Sequence, residues 1–253
     1  MARKRPIKIP TMSRRAKVRR VITLLERELG IPRQSSELPP PMDVLIATTL
    51  SQNTNDKNSQ RAYTGLRARF KTWADVATAP RKSIGAAIRS GGMARQKSAR
   101  IKSMLEEVRK GSGSYSLELI RNLTDDEIIE LLTRFHGVGP KTASCVLLFS
   151  LGRDVFPVDT HVHRLCSRLG LAEGARTPEE TFERMAEVIP KGKAYSFHTN
   201  LIRFGRMVCR STSPHCDRCA MFALCAYEGK SKGTRTVTSK ADHHFMLLDN
   251  VNA

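Results

Sequence analysis

The segment 136–143, His-Gly-Val-Gly-Pro-Lys-Thr-Ala, lies between two helical patterns and decides how this sequence is interpreted. Before it, Thr124 and Glu127 have the spacing of a capping box, which predicts the start of a helix. After it, Pro140 stands at the first position of a very apolar stretch, where proline is well tolerated in a helix. The segment is therefore predicted to be a tight hairpin between two helices.

Such a hairpin is suited to hold a phosphate group. Gly137 and Gly139 can adopt backbone angles closed to other residues, and they allow another backbone to approach closely. The free amides at the start of the second helix favour an anion. We expect Gly137, Val138, Gly139 and Thr142 to contact the DNA backbone without reading its sequence. An ordinary helical corner with glycine in its turn is the alternative.

The charge of the chain favours the DNA interpretation. The 253 residues include 43 Lys or Arg and 24 Asp or Glu, which gives a net charge of +19. An excess of this size favours a polyanionic partner such as nucleic acid. Nine of the first twenty residues are Lys or Arg and none is acidic, so 1–12 is expected to be a disordered basic arm.

The remaining sequence predicts an all-α protein. Helical spacing of apolar residues recurs along the chain, for example from Arg15 to a stop at Gly30, and no strand pattern is convincing. The region 229–253 is polar and irregular and is expected to be a tail. No apolar run approaches the roughly 18 residues of a membrane span, and no secretory signal is recognisable. We expect an intracellular protein without a membrane partner.

Lys141 and Asp159 are the candidate catalytic pair. Lys141 lies in the first turn of the second hairpin helix, where the helix dipole is expected to lower its pKa and to favour the nucleophilic amine. A lysine that only binds phosphate is the simpler alternative on these residues alone. Asp159 is expected to cap the helix that follows it, and the amides of that helix favour an ionised carboxylate.

Four of the six cysteines fall within seventeen residues, in the pattern C-x6-C-x2-C-x5-C: Cys209, Cys216, Cys219 and Cys225. Without a secretory signal, this cluster indicates a metal site in a reducing compartment rather than disulfides. Zinc and a [4Fe–4S] cluster both take four cysteine ligands, and the spacing leaves the choice between them open. Cys145 and Cys166 lie in apolar helices and are expected in the core.

Together these segments resemble the endonuclease III family of helix-hairpin-helix DNA glycosylases. The matching text is 50–54 (LSQNT), 136–143 (HGVGPKTA), 158–161 (VDTH) and the four-cysteine loop, in the family's order. The resemblance covers about residues 15–228. It implies two helical lobes with a DNA-binding cleft between them.

The resemblance also implies where the lobes lie and what the cysteines bind. A six-helix barrel that contains the hairpin is expected over 40–152, and the other lobe over 13–39 and 153–228. The four cysteines are expected to bind a [4Fe–4S] cluster that shapes a basic loop and takes no part in the reaction. Arg210 and Arg218 of that loop are expected to contact DNA.

The activity implied is base-excision repair by a monomer on double-stranded DNA that carries a damaged or mismatched base. The damaged nucleotide would flip out of the stack, and Lys141 would attack C1′ of its sugar as the base leaves. Asp159 would stabilise the charge that develops on the sugar. The resulting Schiff base permits β-elimination, so the resemblance implies a DNA glycosylase with AP lyase activity. Oxidised pyrimidines are the damaged bases that the family removes by default.

Two alternatives stay open. One is a monofunctional glycosylase for mismatched or modified bases such as uracil or thymine, and the other is a non-enzymatic helix-hairpin-helix DNA-binding protein. The loop 52–56 (QNTND) departs from the family's pattern, in which a glutamine fills the gap left by the flipped base. Gln52 or Asn53 is expected in that role, depending on register. His161 is expected to contact DNA or support the site rather than bind a metal.

Overall fold

The computed structural model describes residues 12–231, which form eleven α-helices and no β-strand. The all-α expectation is confirmed. No helix in this part of the chain is long and apolar enough to cross a membrane. The expected arm and tail fall outside the described residues, apart from Met12 and 229–231. The helices are α1 (Arg14–Leu29), α2 (Pro41–Ser51), α3 (Asp56–Arg69), α4 (Trp73–Thr78), α5 (Arg81–Ala87), α6 (Ala94–Ser112), α7 (Asp125–Thr133), α8 (Pro140–Leu151), α9 (Thr160–Arg168), α10 (Pro178–Ala186) and α11 (Ala194–Met207).

Helix ends follow the local signals in the sequence. Both hydrogen bonds of the capping box between Thr124 and Glu127 are present at the start of α7. Gly30 ends α1 with φ at 78°. The sequence pattern does not predict the helix α4, because its six residues are too few to show an apolar period.

Helix packing falls into two groups. In the first, α2 packs on α3, α6 and α8, and α7 packs on α8. In the second, α1 and α9 pack on α11, and α10 packs on α9. The division into lobes at 40–152 and at 13–39 with 153–228 remains a prediction.

Aromatic contacts of His198 join α8 to α11. The ring of His198 lies 5.7 Å from that of Phe149 and 6.1 Å from that of Phe156. Its Nδ1 donates to the Pro157 carbonyl at 2.8 Å. Burial lowers the pKa of His198 to about 4, so the imidazole is neutral at physiological pH.

A buried lysine joins two loops on the other side of the hairpin. Lys97 in α6 is 1% exposed, and its Nζ donates to the carbonyls of Leu50 at 2.7 Å and Gly91 at 2.8 Å. Leu50 lies in the last turn of α2, and Gly91 ends a short 3-10 turn. The ammonium therefore supplies donors to carbonyls that helix ends leave unpaired. Burial lowers its pKa to about 8.

Replacing Lys97 should destabilise the fold. Lys97→Met keeps most of the apolar stem but leaves two buried carbonyls without a donor, so the free energy of unfolding should fall by about 2 kcal/mol. Lys102→Met is the matched control, because Lys102 donates to one carbonyl, that of Ala79, from a less buried position on the same helix. Urea unfolding measures both variants, and equal losses would contradict the role given to Lys97.

The neutral state of His198 predicts a pH dependence of stability. An unfolded histidine has a pKa near 6.5, whereas folding lowers that of His198 to about 4. The contribution of His198 to the free energy of unfolding is fully present above the pKa of the unfolded histidine and is lost as pH falls towards 4. The loss amounts to about 2 kcal/mol between pH 7 and pH 5. The glutamine of the His198→Gln variant does not titrate. Between pH 7 and pH 5 the free energy of unfolding of this variant should therefore fall by about 2 kcal/mol less than that of the wild-type protein. Parallel profiles of the two proteins would refute this.

Candidate active site

The starts of two helices meet at one cleft. Lys141 is the second residue of α8, directly after Pro140. Asp159 is the N-cap of α9, and its carboxylate accepts a hydrogen bond from the Val162 amide at 2.7 Å. Both side chains line a cleft of about 460 Å³, called here the Lys141 cleft. The structure therefore brings together the two residues that the sequence analysis paired.

Two further charged residues line the Lys141 cleft and were not identified from the sequence. Asp56, at the start of α3, forms an ion pair with Arg206 of α11. Burial raises the pKa of Asp56 above its usual value, although Arg206 opposes this shift. The two residues are far apart in the chain, so no local pattern signals their pairing.

The expectation that the pKa of Lys141 is lowered is wrong. Burial does act in that direction, but Cys145, Asp159 and Asp56 outweigh it, and the pKa of Lys141 lies above its usual value. Burial also opposes the charge on Asp159, but His198, the Val162 amide and Lys141 hold the pKa of its carboxyl below the usual value. The site therefore begins as an ammonium beside a carboxylate.

The hairpin has one strained glycine rather than two. Gly137 has φ at 82°, and a Cβ there would lie 2.8 Å from Nε of Arg100. Gly139 caps α8 with φ at −104°, an ordinary extended angle, so the expectation of an unusual angle is wrong for this residue. No atom lies within 4 Å of a Cβ built at Gly139, which leaves room for an approaching backbone. The Val138 side chain is buried, so its backbone is the part available to DNA.

Gln52 is tied to the hairpin. Its Nε2 donates to the Gly137 carbonyl at 3.1 Å, and Nη1 of Arg100 donates to its Oε1 at 3.2 Å. The buried Thr142 places its hydroxyl 3.5 Å from the same Nε2. Gln52 and Thr142 therefore support the hairpin from inside in this structure.

Asn53 behaves differently from its neighbour. It is exposed and has φ at 53°, and its Nδ2 lies 3.6 Å from Sδ of Met93. Met93 also has a left-handed backbone, with φ at 50°, and is 42% exposed. Non-glycine residues in this region are uncommon and often mark functional loops. Met93 was not identified from the sequence, since an isolated methionine in a loop has no distinguishing pattern.

His161 is partly buried beside α11. Its Nδ1 lies 3.1 Å from Nη2 of Arg164, which also donates to the carbonyls of Gly205 and Cys209, each at 3.0 Å. Burial lowers the pKa of His161, although Asp159 opposes the shift. Its expected contact with DNA remains a prediction.

The four clustered cysteines line one cavity of about 420 Å³, called here the cysteine cavity, which is walled largely by apolar side chains. The pKa of Cys219 is raised to about 11, mainly by burial and in smaller part by the other three cysteines, against an opposing backbone hydrogen bond. Nη1 of Arg168 lies 3.4 Å from Sγ of Cys209. Within 12–231, no group of His, Cys, Asp or Glu side chains is arranged to hold a single metal ion.

The two arginines of the cysteine loop differ in exposure. Arg218 is exposed, and its Nη2 donates to the Met207 carbonyl at 2.8 Å. Arg210 is half-buried, and its Nε donates to the Arg206 carbonyl at 3.3 Å. Both stand beside the cysteine cavity, and their contact with DNA remains a prediction.

Known proteins are similar to this chain in sequence. Endonuclease III of Thermotoga maritima is 34% identical over 216 residues, which cover 84% of this chain and 96% of that protein. An Arabidopsis thaliana protein with the provisional name of a DNA glycosylase is 40% identical over 166 residues. That match covers 66% of this chain and 57% of the relative.

A solved structure of an endonuclease III is also similar to this chain. The structure of a trapped endonuclease III–DNA covalent intermediate matches with a TM-score of 0.71 and 28% sequence identity. It covers 84% of this chain and 95% of its own. The family model of the HhH-GPD superfamily base excision DNA repair proteins matches residues 46–191, more than half of the chain. This chain therefore belongs to the HhH-GPD superfamily of base excision DNA repair proteins.

Proposed function

We propose that this protein is a DNA glycosylase with AP lyase activity that acts on double-stranded DNA. The observation that carries the proposal is the meeting of Lys141 and Asp159 in one cleft, with the helix-hairpin-helix at its edge. The relatives named endonuclease III, and the covalent DNA intermediate solved for one such protein, support the same chemistry. The function implies a location with the DNA inside the cell, and we propose that one molecule acts alone.

The proposed reaction begins with proton transfer. Lys141 is an ammonium in the free protein, so Asp56, the cleft carboxylate whose pKa is raised, must accept a proton before Nζ attacks C1′. As the bond from Nζ to C1′ forms, the bond from C1′ to the base breaks, and the base leaves with the electron pair and takes a proton from solvent. The ionised Asp159 stabilises the positive charge that develops on the sugar. The C1′–O4′ bond then breaks as a proton passes from Nζ to O4′, which opens the sugar ring and leaves a Schiff base between Nζ and C1′. The Schiff base acidifies C2′, and loss of the C2′ proton breaks the C3′–O bond and releases the 3′ phosphate.

The surface around the cleft fits a flipped nucleotide. The start of α8 and the open space at Gly139 suit a phosphate of the DNA backbone. Asn53 and Met93 protrude together beside the hairpin, whereas Gln52 is tied inside it. We therefore assign the gap left by the flipped base to Asn53, with Met93 as an apolar wedge between neighbouring bases. His161, Arg210 and Arg218 would add contacts at the other side of the cleft.

The donors of the cysteine cavity fit a [4Fe–4S] cluster. All four cysteines line one cavity, and four cysteine thiolates are the ligands that such a cluster takes. Cys209, Cys216, Cys219 and Cys225 would hold the cluster. When bound, it supplies structural cross-linking of the loop that carries Arg210 and Arg218. Arg168, beside Cys209, would offset part of its negative charge.

The preferred lesion is proposed to be an oxidised pyrimidine. A monofunctional glycosylase for mismatched or modified bases is the second candidate, favoured by the departure of the loop 52–56 from the family's glutamine pattern. A protein that binds DNA without chemistry is the third. It has no need of a lysine and a carboxylate in the same cleft.

Lys141→Gln should abolish covalent trapping. In the presence of borohydride, the wild-type protein should form an adduct with a duplex that contains an abasic site, because reduction fixes the Schiff base. The variant should form none while it still binds a duplex with a tetrahydrofuran abasic analogue. An active wild-type protein that releases bases without nicking or trapping would establish the monofunctional alternative.

Asp159→Asn tests the carboxylate separately from the helix cap. Asparagine is as good an N-cap as aspartate, so the start of α9 should be kept, but loss of the negative charge beside the buried Lys141 should lower the free energy of unfolding, and base release should slow by roughly 10²–10⁴-fold. Single-turnover base release and urea unfolding measure the two effects. An unchanged rate of base release would support the DNA-binding alternative instead.

Cys216→Ala should remove the cluster. The wild-type protein, purified without oxygen, should be brown and contain about four irons per chain, and the variant should be colourless and less stable. Iron and zinc analysis with visible absorption checks this. Cys166→Ala is the matched control, since Cys166 is buried in α9 outside the cysteine cavity and should leave the iron content unchanged. One zinc per chain and no iron would refute the cluster.

A further inference from the structure

Helix α2 carries three hydroxyl side chains in its second half, and they differ in their hydrogen bonds. The Thr49 hydroxyl donates to the Leu45 carbonyl at 2.9 Å, and the Ser51 hydroxyl donates to the Thr48 carbonyl at 2.8 Å. The hydroxyl of Thr48 has no partner, although the residue is 2% exposed. A buried polar atom without a partner costs free energy and calls for an explanation.

The position of Thr48 explains why its hydroxyl has no partner. It lines the Lys141 cleft together with Lys141 and Asp159. Six side-chain atoms in the described part of the chain are buried without a hydrogen-bond partner, and the Thr48 hydroxyl is the one that belongs to a residue of this cleft. The apolar part of the cleft lining is formed by Ala47, Phe149 and Ile202.

The proposed reaction places the flipped base against these apolar residues. This placement of the base rests on the proposed function. Lys141 attacks C1′, and the base is bonded to C1′, so the flipped base must lie close to Nζ. The Lys141 cleft, which holds Nζ, is therefore the part of the protein that receives the base. Its apolar wall suits the faces of a base ring, which leaves the polar edge of the ring to be satisfied.

We propose that the hydroxyl of Thr48 hydrogen-bonds to the polar edge of the flipped base and that Thr48 is a residue that determines lesion specificity. A hydroxyl can donate to a carbonyl oxygen or accept from a ring N–H, and both groups occur on pyrimidine-derived bases. Threonine in a helix has two accessible χ1 rotamers, so the hydroxyl is free to turn towards a bound base. Sites that hydrogen-bond their ligand discriminate strongly against ligands that lack the matching group.

The test compares two isosteric substitutions on neighbouring residues. Thr48→Val removes the unpartnered hydroxyl, and Thr49→Val removes a hydroxyl that is already bonded within the helix. Single-turnover base release is measured on duplexes with one thymine glycol, one dihydrouracil or one uracil. Nicking of a preformed abasic site, which has no base, is measured in parallel.

Thr48→Val should lower the ratio of base release to abasic-site nicking by about tenfold for the preferred lesion, the effect of one lost hydrogen bond. Thr49→Val should leave that ratio unchanged. Thr48→Val should also raise the melting temperature of the free protein, because it replaces an unsatisfied buried hydroxyl with a methyl group. Thr49→Val should not raise it.

The outcomes separate this proposal from the proposed function. If the wild-type protein releases bases and Thr48→Val leaves the ratio unchanged for every lesion processed, the assignment of Thr48 is wrong and the glycosylase activity stands. The same holds if base release and abasic-site nicking fall together, which indicates a general disturbance of the cleft. A wild-type protein that releases none of the three bases and nicks no abasic site overturns the proposed function, and the assignment with it.

Discussion

The hydrogen bond from the Val162 amide to the Asp159 carboxylate is the interaction on which the site depends. It holds the carboxylate at the first turn of α9, where a rigid backbone rather than a flexible side chain sets its position. The backbone of Lys141 is positioned by its place in the first turn of α8. Because both helix starts open into one cleft, packing of the two helix groups decides the distance between the reacting groups.

Charge compensation is the second constraint on the cleft. Lys141 and Arg206 face Asp159 and Asp56, so two positive groups meet two negative ones in a largely buried place. Burying these charges without partners would cost far more free energy than the fold can supply. The same compensation raises the pKa of Lys141, so the arrangement that stabilises the free protein also holds the nucleophile in its inactive form.

Helix α6 links the loops that surround the cleft. Lys97 joins the end of α2, at Leu50, to the turn at Gly91, and Arg100, one turn further along, binds Gln52 beside the hairpin. The three loops therefore share one support. Nothing in the sequence of α6 indicates this, since a lysine at a helix position is ordinarily exposed and solvated.

The sequence by itself determined the all-α class, the hairpin and most helix ends, because caps such as Thr124 act through hydrogen bonds within one turn. It also pointed to Lys141 and Asp159, although their pairing depended on resemblance to a family rather than on local physics. Only the tertiary structure decided that Asp56 and Arg206 complete the cleft and that the pKa of Lys141 is raised. Both depend on burial and on charges brought together from distant parts of the chain, and no local pattern encodes them.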